Sequence, residues 1–512
     1  MSILFSKGKE LAQPVSSDTY AHLALDEIID MIAIKDNDKK LIRDVFMLYP
    51  NDYDTVLLRQ EILKDFMVDK GFCVELEGIL EKLGVLKEYS AHNHFIGNKK
   101  SSVYDLLDYI EEMDVYIQVI EELNKFFDTF EVKSKGFNEI KELVRGVIAA
   151  DKIPELKEIV DAMKSDIATL KSMTIGINLT PDLEPEEVIF LNFNKFPFKS
   201  RLEFTDWAAS MSAQKKIVYK ERSRLMGALC AETEKELAKS VRRVKHSLKN
   251  YVDFKGYSIL DICNDLKFFL LMAKFAAKLD ENNYAYCFPV INRESSDIEI
   301  KGLYNIRLLE KEVKNIVKND LTFSDEKVFI LTGPNRGGKT MLTQGVGIIS
   351  FFAAQGLYVP ADRYEGRLFD NILTHFPADE NQTLNLGRLG EEAVRIKEIA
   401  KEPTSNTLVL FNETYSSTSA YDGLYLAKDL VHILKHKGIS AIFNTHIHEL
   451  ARSVEEMNTW DGDTKVVSLT MEIENNVNTF RVLRKEPDHS SFAKNIAMKY
   501  GVTYEQMLQE NN

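Results

Sequence analysis

The stretch Gly333-Pro334-Asn335-Arg336-Gly337-Gly338-Lys339-Thr340 constrains the fold of this chain more than any other. It fits G-x-x-x-x-G-K-[S/T], the pattern of a backbone loop that wraps phosphate. The apolar run Lys327 to Thr332 before it has strand character, and the mostly apolar Met341 to Gln355 after it predicts a buried helix. Strand, glycine loop and helix are what phosphate binding requires. Glycines let backbone N–H groups approach phosphate oxygens, and a helix N-terminus adds the positive end of its dipole. In such a loop Lys339 reaches the β- and γ-phosphates of a nucleotide and the Thr340 hydroxyl ligates Mg²⁺. A glycine-rich turn with an incidental lysine is the plain alternative, and the flanking strand and helix argue against it.

Further along, Thr407 to Phe411 reads as a second buried strand, with Asn412-Glu413 at its end. ATP hydrolysis needs an acid there to orient or deprotonate the attacking water, and Glu413 is placed for that work. Asn412 stands where an aspartate helps hold Mg²⁺. The polar run Ser416 to Gly423 opens another helix, whose Ala427, Leu430, Val431 and Leu434 share a face and for which Gly438 is a natural stop. A third strand, Ile439 to Asn444, ends in Thr445-His446, where a polar side chain can hydrogen-bond the γ-phosphate. His446 and His448 suggest a metal site only superficially, because no third or fourth ligand is evident near them.

The first half has a different texture. A chain of 512 residues is too long for one ordinary core, so several domains are expected. From Tyr20 to about residue 170 the apolar spacing is helical almost throughout, and Val103 to Phe127 is a long helix candidate. Such helices form either a hairpin arm or a plain bundle, and spacing does not separate the two. Residues 1 to about 20 read as a ragged start. Short strands follow at 174–179 and 188–191. The next stretch, 213–250, carries eleven Lys or Arg against four Glu, a net +7. In a chain of net charge −14 such a helix suits a phosphate backbone, with Arg242, Arg243 and Lys245 as candidate contacts. A solvated helix face explains the same charges. Ile259 to Leu279 is strongly apolar and predicts a core helix. The cysteines Cys73, Cys230, Cys263 and Cys287 have neither paired nor metal-ligand spacing. With no long apolar run at the N-terminus, that predicts a reduced, cytoplasmic protein without a membrane span.

At these positions the chain resembles the MutS family of DNA mismatch repair ATPases. The family's loop reads T-G-P-N-M-G-G-K-S, and Thr332 to Thr340 reads T-G-P-N-R-G-G-K-T. Gly356-Leu357-Tyr358-Val359-Pro360-Ala361 stands in place of its G-x-x-V-P-A run. Asn412-Glu413 through Asp422-Gly423 looks like its D-E-x-x-x-G-T-S-x-x-D-G, and Thr445 to Leu450 looks like its T-H-x-x-E-L. The resemblance is firm over about residues 320–500. It implies an α/β P-loop ATPase domain in the C-terminal half, preceded by a mainly α-helical lever- and clamp-like region. The implied division is a lever-like 1–170, a clamp-like 171–255, a helical return at 256–315 and an ATPase domain at 316–512. ATP and Mg²⁺ are the implied cofactors, Glu413, Lys339 and His446 the implied catalytic set, and Thr340 with Asn412 the implied metal ligands. Ile316 looks like the residue that packs on adenine. Family members dimerise through their ATPase domains, so a homodimer is implied, with a segment near Thr383 completing the partner's site.

The departures narrow the expectation. Lever-like helical sequence begins by Tyr20, which leaves no room for the family's mismatch-reading domain. Phe72-Cys73-Val74-Glu75 has the wrong spacing for its Phe-x-Glu wedge, and no nuclease-like appendage is expected after the ATPase domain. The sequence therefore points to a slow ATPase acting on structured or branched DNA. The competing reading is a nucleotide-dependent dimer clasp that binds a protein partner and has no DNA role. A transporter-type ATPase shares the loop but does not fit a helical arm fused upstream of a single ATPase domain.

Overall fold

The computed structural model describes residues 3–4, 12–50, 52–96, 103–169, 171–182, 185–197, 258–311, 315–376, 388–401, 404–416, 418–474 and 477–487, with isolated positions at 313, 498, 501, 503, 506 and 507. The chain forms two compact units. One comprises Asp69–Lys267 with Met1, and the other comprises Ser2–Val68 and Phe268–Asn512.

Along the first 68 residues run β1 (Gln13–Pro14), α1 (Ser17–His22), α2 (Leu25–Ile32), α3 (Asp36–Phe46), β2 (Leu48–Tyr49) and α4 (Tyr53–Val68). The helical texture of this stretch is as the sequence suggests, but its packing differs from expectation. Residues 2–68 group with the C-terminal unit, whereas the sequence reading placed them in a helical region running to 170. Most of the expected ragged start, residues 1–2 and 5–11, lies outside the described residues. Ile3 and Leu4 are buried, and the Leu4 carbonyl accepts from Arg59 Nε at 2.7 Å. The same guanidinium donates to Gln355 Oε1 at 2.6 Å, at the far end of the helix that follows the glycine loop. Burying a cation is costly unless its N–H groups meet acceptors, and here backbone and amide oxygens take Nε and Nη1.

The other unit carries α5 (Lys70–Ile96), α6 (Val103–Thr129), α7 (Lys135–Ala150), α8 (Ile153–Thr169) and the antiparallel hairpin β3 (Ser172–Leu179) with β4 (Pro185–Asn194). Helices α5 and α6 lie antiparallel, since Lys82 pairs with Glu122 and Tyr89 with Glu111. Helices α7 and α8 pack on α6, so the long pair is part of a bundle as well as a hairpin. Its core is aromatic. Phe72 meets Phe126 at 4.7 Å and Phe137 at 5.3 Å, edge to face, the arrangement that ring quadrupoles favour.

Helix α9 (Ser258–Glu281) buries the apolar side chains expected of it, among them Leu266, Phe269, Met272 and Phe275. Beyond it come β5 (Val290–Ile291), β6 (Ile298–Leu303), a 3-10 turn (Ile306–Leu309), β7 (Asn319–Phe323), β8 (Glu326–Thr332), α10 (Lys339–Ala354), β9 (Arg363–Gly366) and β10 (Asn371–His375). The chain continues with α11 (Arg388–Lys401), β11 (Thr407–Asn412), α12 (Ala420–His436), β12 (Ser440–Asn444), α13 (His448–Arg452), α14 (Val454–Asn458), β13 (Lys465–Glu474) and β14 (Val477–Leu483). Strands β5, β9, β6 and β7 make a small sheet. The main sheet has the order β10-β11-β12-β8-β13-β14, parallel except for the antiparallel edge strand β14.

Parallel strands covered on both faces read as continuous apolar runs, and β11 and β12 are buried at every position. Alternate side chains serve opposite faces. Val328, Ile330, Val409, Phe411, Ala441 and Phe443 pack with Ala427, Leu430, Val431 and Leu434 of α12. On the other face lies α10, buried nearly all round. Each of its fully buried Ile and Phe side chains contributes roughly 1.5–3 kcal/mol. Gly347 of α10 permits the closest approach: a Cβ there would stand 2.5 Å from Leu23 Cδ2 and 2.6 Å from Leu410 Cδ1. The N-terminal helices and the sheet thus clamp the helix that starts at the glycine loop.

Candidate functional site

In a parallel sheet the strands' carboxyl ends lie on one edge, and ligands bind there. Three adjacent strands, β11, β12 and β8, bring the sequence-predicted residues to that edge. The loop 333–338 leaves β8, Asn412-Glu413 leave β11, and Thr445-His446 leave β12. The loop enters α10 through Gly338 at φ +94°, a left-handed conformation natural to glycine. Helix α12 is capped by the Ser419 hydroxyl, which accepts from the Asp422 N–H at 3.1 Å. The helix ends as its sequence suggests: Gly438 N–H donates to Lys435 O and Ile439 N–H to Leu434 O, closing a Schellman motif.

A cavity of about 520 Å³ opens over the loop. Its walls include Asn335, Arg336, Gly337, Gly338, Lys339, Thr340 and Glu413, together with Ile316, which the resemblance assigns to the base. Gly333 and Pro334 lie just outside that lining and meet Lys339 instead. Lys339 is buried, and its Nζ donates to the Gly333 carbonyl at 3.1 Å and the Pro334 carbonyl at 3.2 Å. Burial lowers its pKa, while the nearby Glu413 carboxylate acts in the opposite direction. A cation held only by neutral carbonyls is poised to exchange them for an anion.

Thr340 Oγ1 donates to Asn412 Oδ1 at 3.0 Å. The two metal candidates are therefore adjacent, and they offer a hydroxyl and an amide oxygen, the hard donors that Mg²⁺ takes. The donor set fits a nucleotide-bound Mg²⁺, with one less negative charge than a carboxylate would supply. Asn412 Oδ1 also accepts from Asn444 Nδ2. Asn444 directly neighbours Asn412 in the parallel register and is completely buried. Glu413 sits at φ +55°, donates its N–H to Asn444 O at 2.8 Å and approaches His446 Nε2 with its Oε1 at 2.7 Å. His448 opens α13, and burial lowers its pKa. Among the described residues no group of three His, Cys, Asp or Glu could hold a metal.

Several contributors escape a reading by motif. Leu308, Met471 and Phe480 wall the cavity from distant parts of the chain. Asn305 Nδ2 donates to Met341 O at 2.9 Å, bracing the start of α10. Asn444 carried one signal, a polar residue closing an apolar strand. Arg242, Arg243 and Lys245 of the basic stretch, and Thr383 of the expected partner-completing segment, lie outside the described residues. No helix among the described residues is long and apolar enough to cross a membrane.

Comparison with known proteins bears on both halves. Residues 329–509 match the model of MutS domain V, and residues 51–282 match that of the MutS2 N-terminal domain. The chain is 30% identical over 236 residues to the DNA mismatch repair protein MutS of Shouchella clausii, covering 45% of this chain and 27% of that protein. It is 25% identical over 518 residues to the DNA mismatch repair protein MutS of Petrotoga mobilis, covering 90% of this chain and 62% of that one. With the Endonuclease MutS2 of Finegoldia magna it shares 30% identity over 223 residues, 42% of this chain and 26% of the relative. The chain thus spans less than two thirds of the length of each of these relatives. Matches to MutS domain V in one half and to the MutS2 N-terminal domain in the other, with relatives named MutS and MutS2, lead to one assignment: the chain belongs to the MutS family.

Proposed function

We propose that this chain binds ATP with Mg²⁺ in the cavity over residues 333–340, hydrolyses it slowly, and acts on structured or branched DNA. The observation that carries the reading is the convergence of Lys339, Thr340 and Glu413 on one cavity, with Asn412 hydrogen-bonded to Thr340 behind it. The loop backbone and Lys339 hold the triphosphate, and Ile316 packs against the base. Thr340 and Asn412 hold Mg²⁺, which when bound neutralises phosphate charge and orients the γ-phosphate. Glu413, fixed by its contact with His446, orients the attacking water and takes up its proton. His446 also lies at the strand end from which a side chain can hydrogen-bond the γ-phosphate.

The DNA role is supported by the relatives named as DNA mismatch repair proteins and by the basic stretch 213–250. A homodimer, with the segment near Thr383 reaching the partner's site, completes the proposal. Gel shifts on duplex, mismatched and branched DNA, with and without ATP and across salt concentrations, test it. Reversing Arg242, Arg243 and Lys245 to Glu weakens binding and flattens the salt slope if phosphates are neutralised there. Equal binding by that variant, or a strong preference for mismatched duplex, rejects it. The neutral Asn412 favours a second reading, in which ATP clasps a dimer that engages a protein partner. Salt-independent behaviour toward every DNA, with ATP-dependent dimerisation retained, selects that one.

A further inference from the structure

The turn after β11 is unusual in its backbone. Two non-glycine residues, Glu413 (φ +55°) and Tyr415 (φ +64°), adopt left-handed conformations with only Thr414 between them. L-residues persist there only where the surroundings hold them. Glu413 is held through its own N–H on Asn444 O, and its carbonyl accepts from the Ser416 N–H at 3.2 Å. Tyr415 is held by a side chain. Its N–H donates to Glu392 Oε1 at 2.7 Å. Thr414 and Tyr415 are both buried, so water does not readily replace that acceptor. The Glu392 carboxylate reaches the turn from α11, and the same oxygen lies 3.3 Å from Nε2 of His375, the buried last residue of β10. Strand β10 neighbours β11, with His375 opposite Phe411. One carboxylate therefore ties a helix and a strand end to the turn that presents Glu413.

We propose that Glu392 is a positioning residue for ATP hydrolysis, fixing the Tyr415 peptide and through it the direction of Glu413. The proposal rests on the ATPase reading above. The peptide between Thr414 and Tyr415 is oriented by the Glu392 acceptor, and the next peptide back carries the Glu413 Cα. If the first rotates, the second follows, and the Glu413 carboxylate leaves both His446 and the cavity. Lys339 and Thr340 open α10, on a different segment, so nucleotide binding does not depend on this tie. Glu392 is not part of the cavity lining. It acts by geometry, and small misplacements of a reacting group are costly in rate.

The test is steady-state ATP turnover and ATP affinity for the full chain and its E392A, E392Q and E392D variants. E392A removes the acceptor, and its kcat falls about ten- to a hundredfold while ATP affinity stays within about twofold. E392Q keeps an oxygen at the same reach and retains most of the rate. E392D, one methylene shorter, cannot span to Tyr415 and falls like E392A, so it carries the test if E392A does not fold. Wild-type turnover with E392A and E392D equally active overturns the role of Glu392 and leaves the ATPase reading intact. Equal losses of kcat and ATP affinity in every variant, E392Q included, overturn it in favour of a general structural role. Absence of turnover in the wild type overturns both, and is recognised by that fact alone.

Discussion

Replacing Asn412 with Asp isolates the charge that distinguishes this site. Oδ1 of residue 412 stands 3.0 Å from Thr340 Oγ1. An ion ligated by Thr340 at ~2.1 Å therefore lies within ~5 Å of that oxygen. A divalent and a single opposite charge at ~5 Å attract by roughly 2 kcal/mol in water and roughly 7 kcal/mol at the effective dielectric of a protein surface. Part of this is offset, because Asn412 is only 9% exposed and a carboxylate there must be desolvated. Two donors, the Thr340 hydroxyl and the Asn444 amide, are already in place to receive it. A net gain of ~2 kcal/mol remains, which lowers the half-saturating Mg²⁺ concentration ~30-fold. The assay is Mg²⁺ titration of fluorescent-ATP binding, repeated for turnover. If the half-saturating concentration is unchanged or higher in a variant that still binds ATP, residue 412 does not face the metal and the reasoning is refuted.

Three further outcomes follow from the geometry. Glu413→Gln keeps ATP affinity but loses turnover by roughly a hundredfold or more, as removal of a general base does; matched binding and single-turnover measurements check this, and an active variant contradicts the role of Glu413. Gly347→Val forces Leu23 and Leu410 apart and destabilises the unit by ~1–3 kcal/mol, which denaturant titration reads and an unshifted midpoint denies. His22, hydrogen-bonded to Thr374 Oγ1 and stacked on Phe376, has its pKa pushed down to about 4 by burial. As the pH falls from ~6.5 toward that value the unfolded chain gains a proton that the folded chain refuses, so stability is lost across this window. Thermal melts should show that loss shallower in His22→Gln, and parallel pH profiles would reject it.

The parts of the site legible in sequence were those carried by local spacing. Glycine loop, apolar strand and apolar helix follow one another as consecutive runs of the chain, and strand ends announce themselves where an apolar run meets Asn412-Glu413 or Thr445-His446. What spacing does not encode is which distant side chains close the space. Leu308, Met471 and Phe480 are ordinary apolar residues until the fold brings them over the loop. Residues 20–68 read as helical, and most of them lie in α1 to α4, but helical periodicity does not say which partner a helix packs on. That choice is made by contacts such as Leu23 against Gly347 and Arg59 with Gln355. In the sequence Glu392 is one acid among several between residues 388 and 401, and only the left-handed turn at Tyr415 gives it a distinct task.

The account stands most directly on Lys339. Calorimetric titration of ATP with Mg²⁺ into the wild type and Lys339→Ala measures whether the loop binds phosphate at all. The ammonium now rests on two loop carbonyls, 3.1 and 3.2 Å away, and is free to trade them for phosphate oxygens. The account predicts one saturable ATP site per chain in the wild type and a loss of at least about tenfold in affinity on removing the charge, the ~1.5–3 kcal/mol of a charge-assisted hydrogen bond. Equal ATP affinity in the two proteins would contradict it.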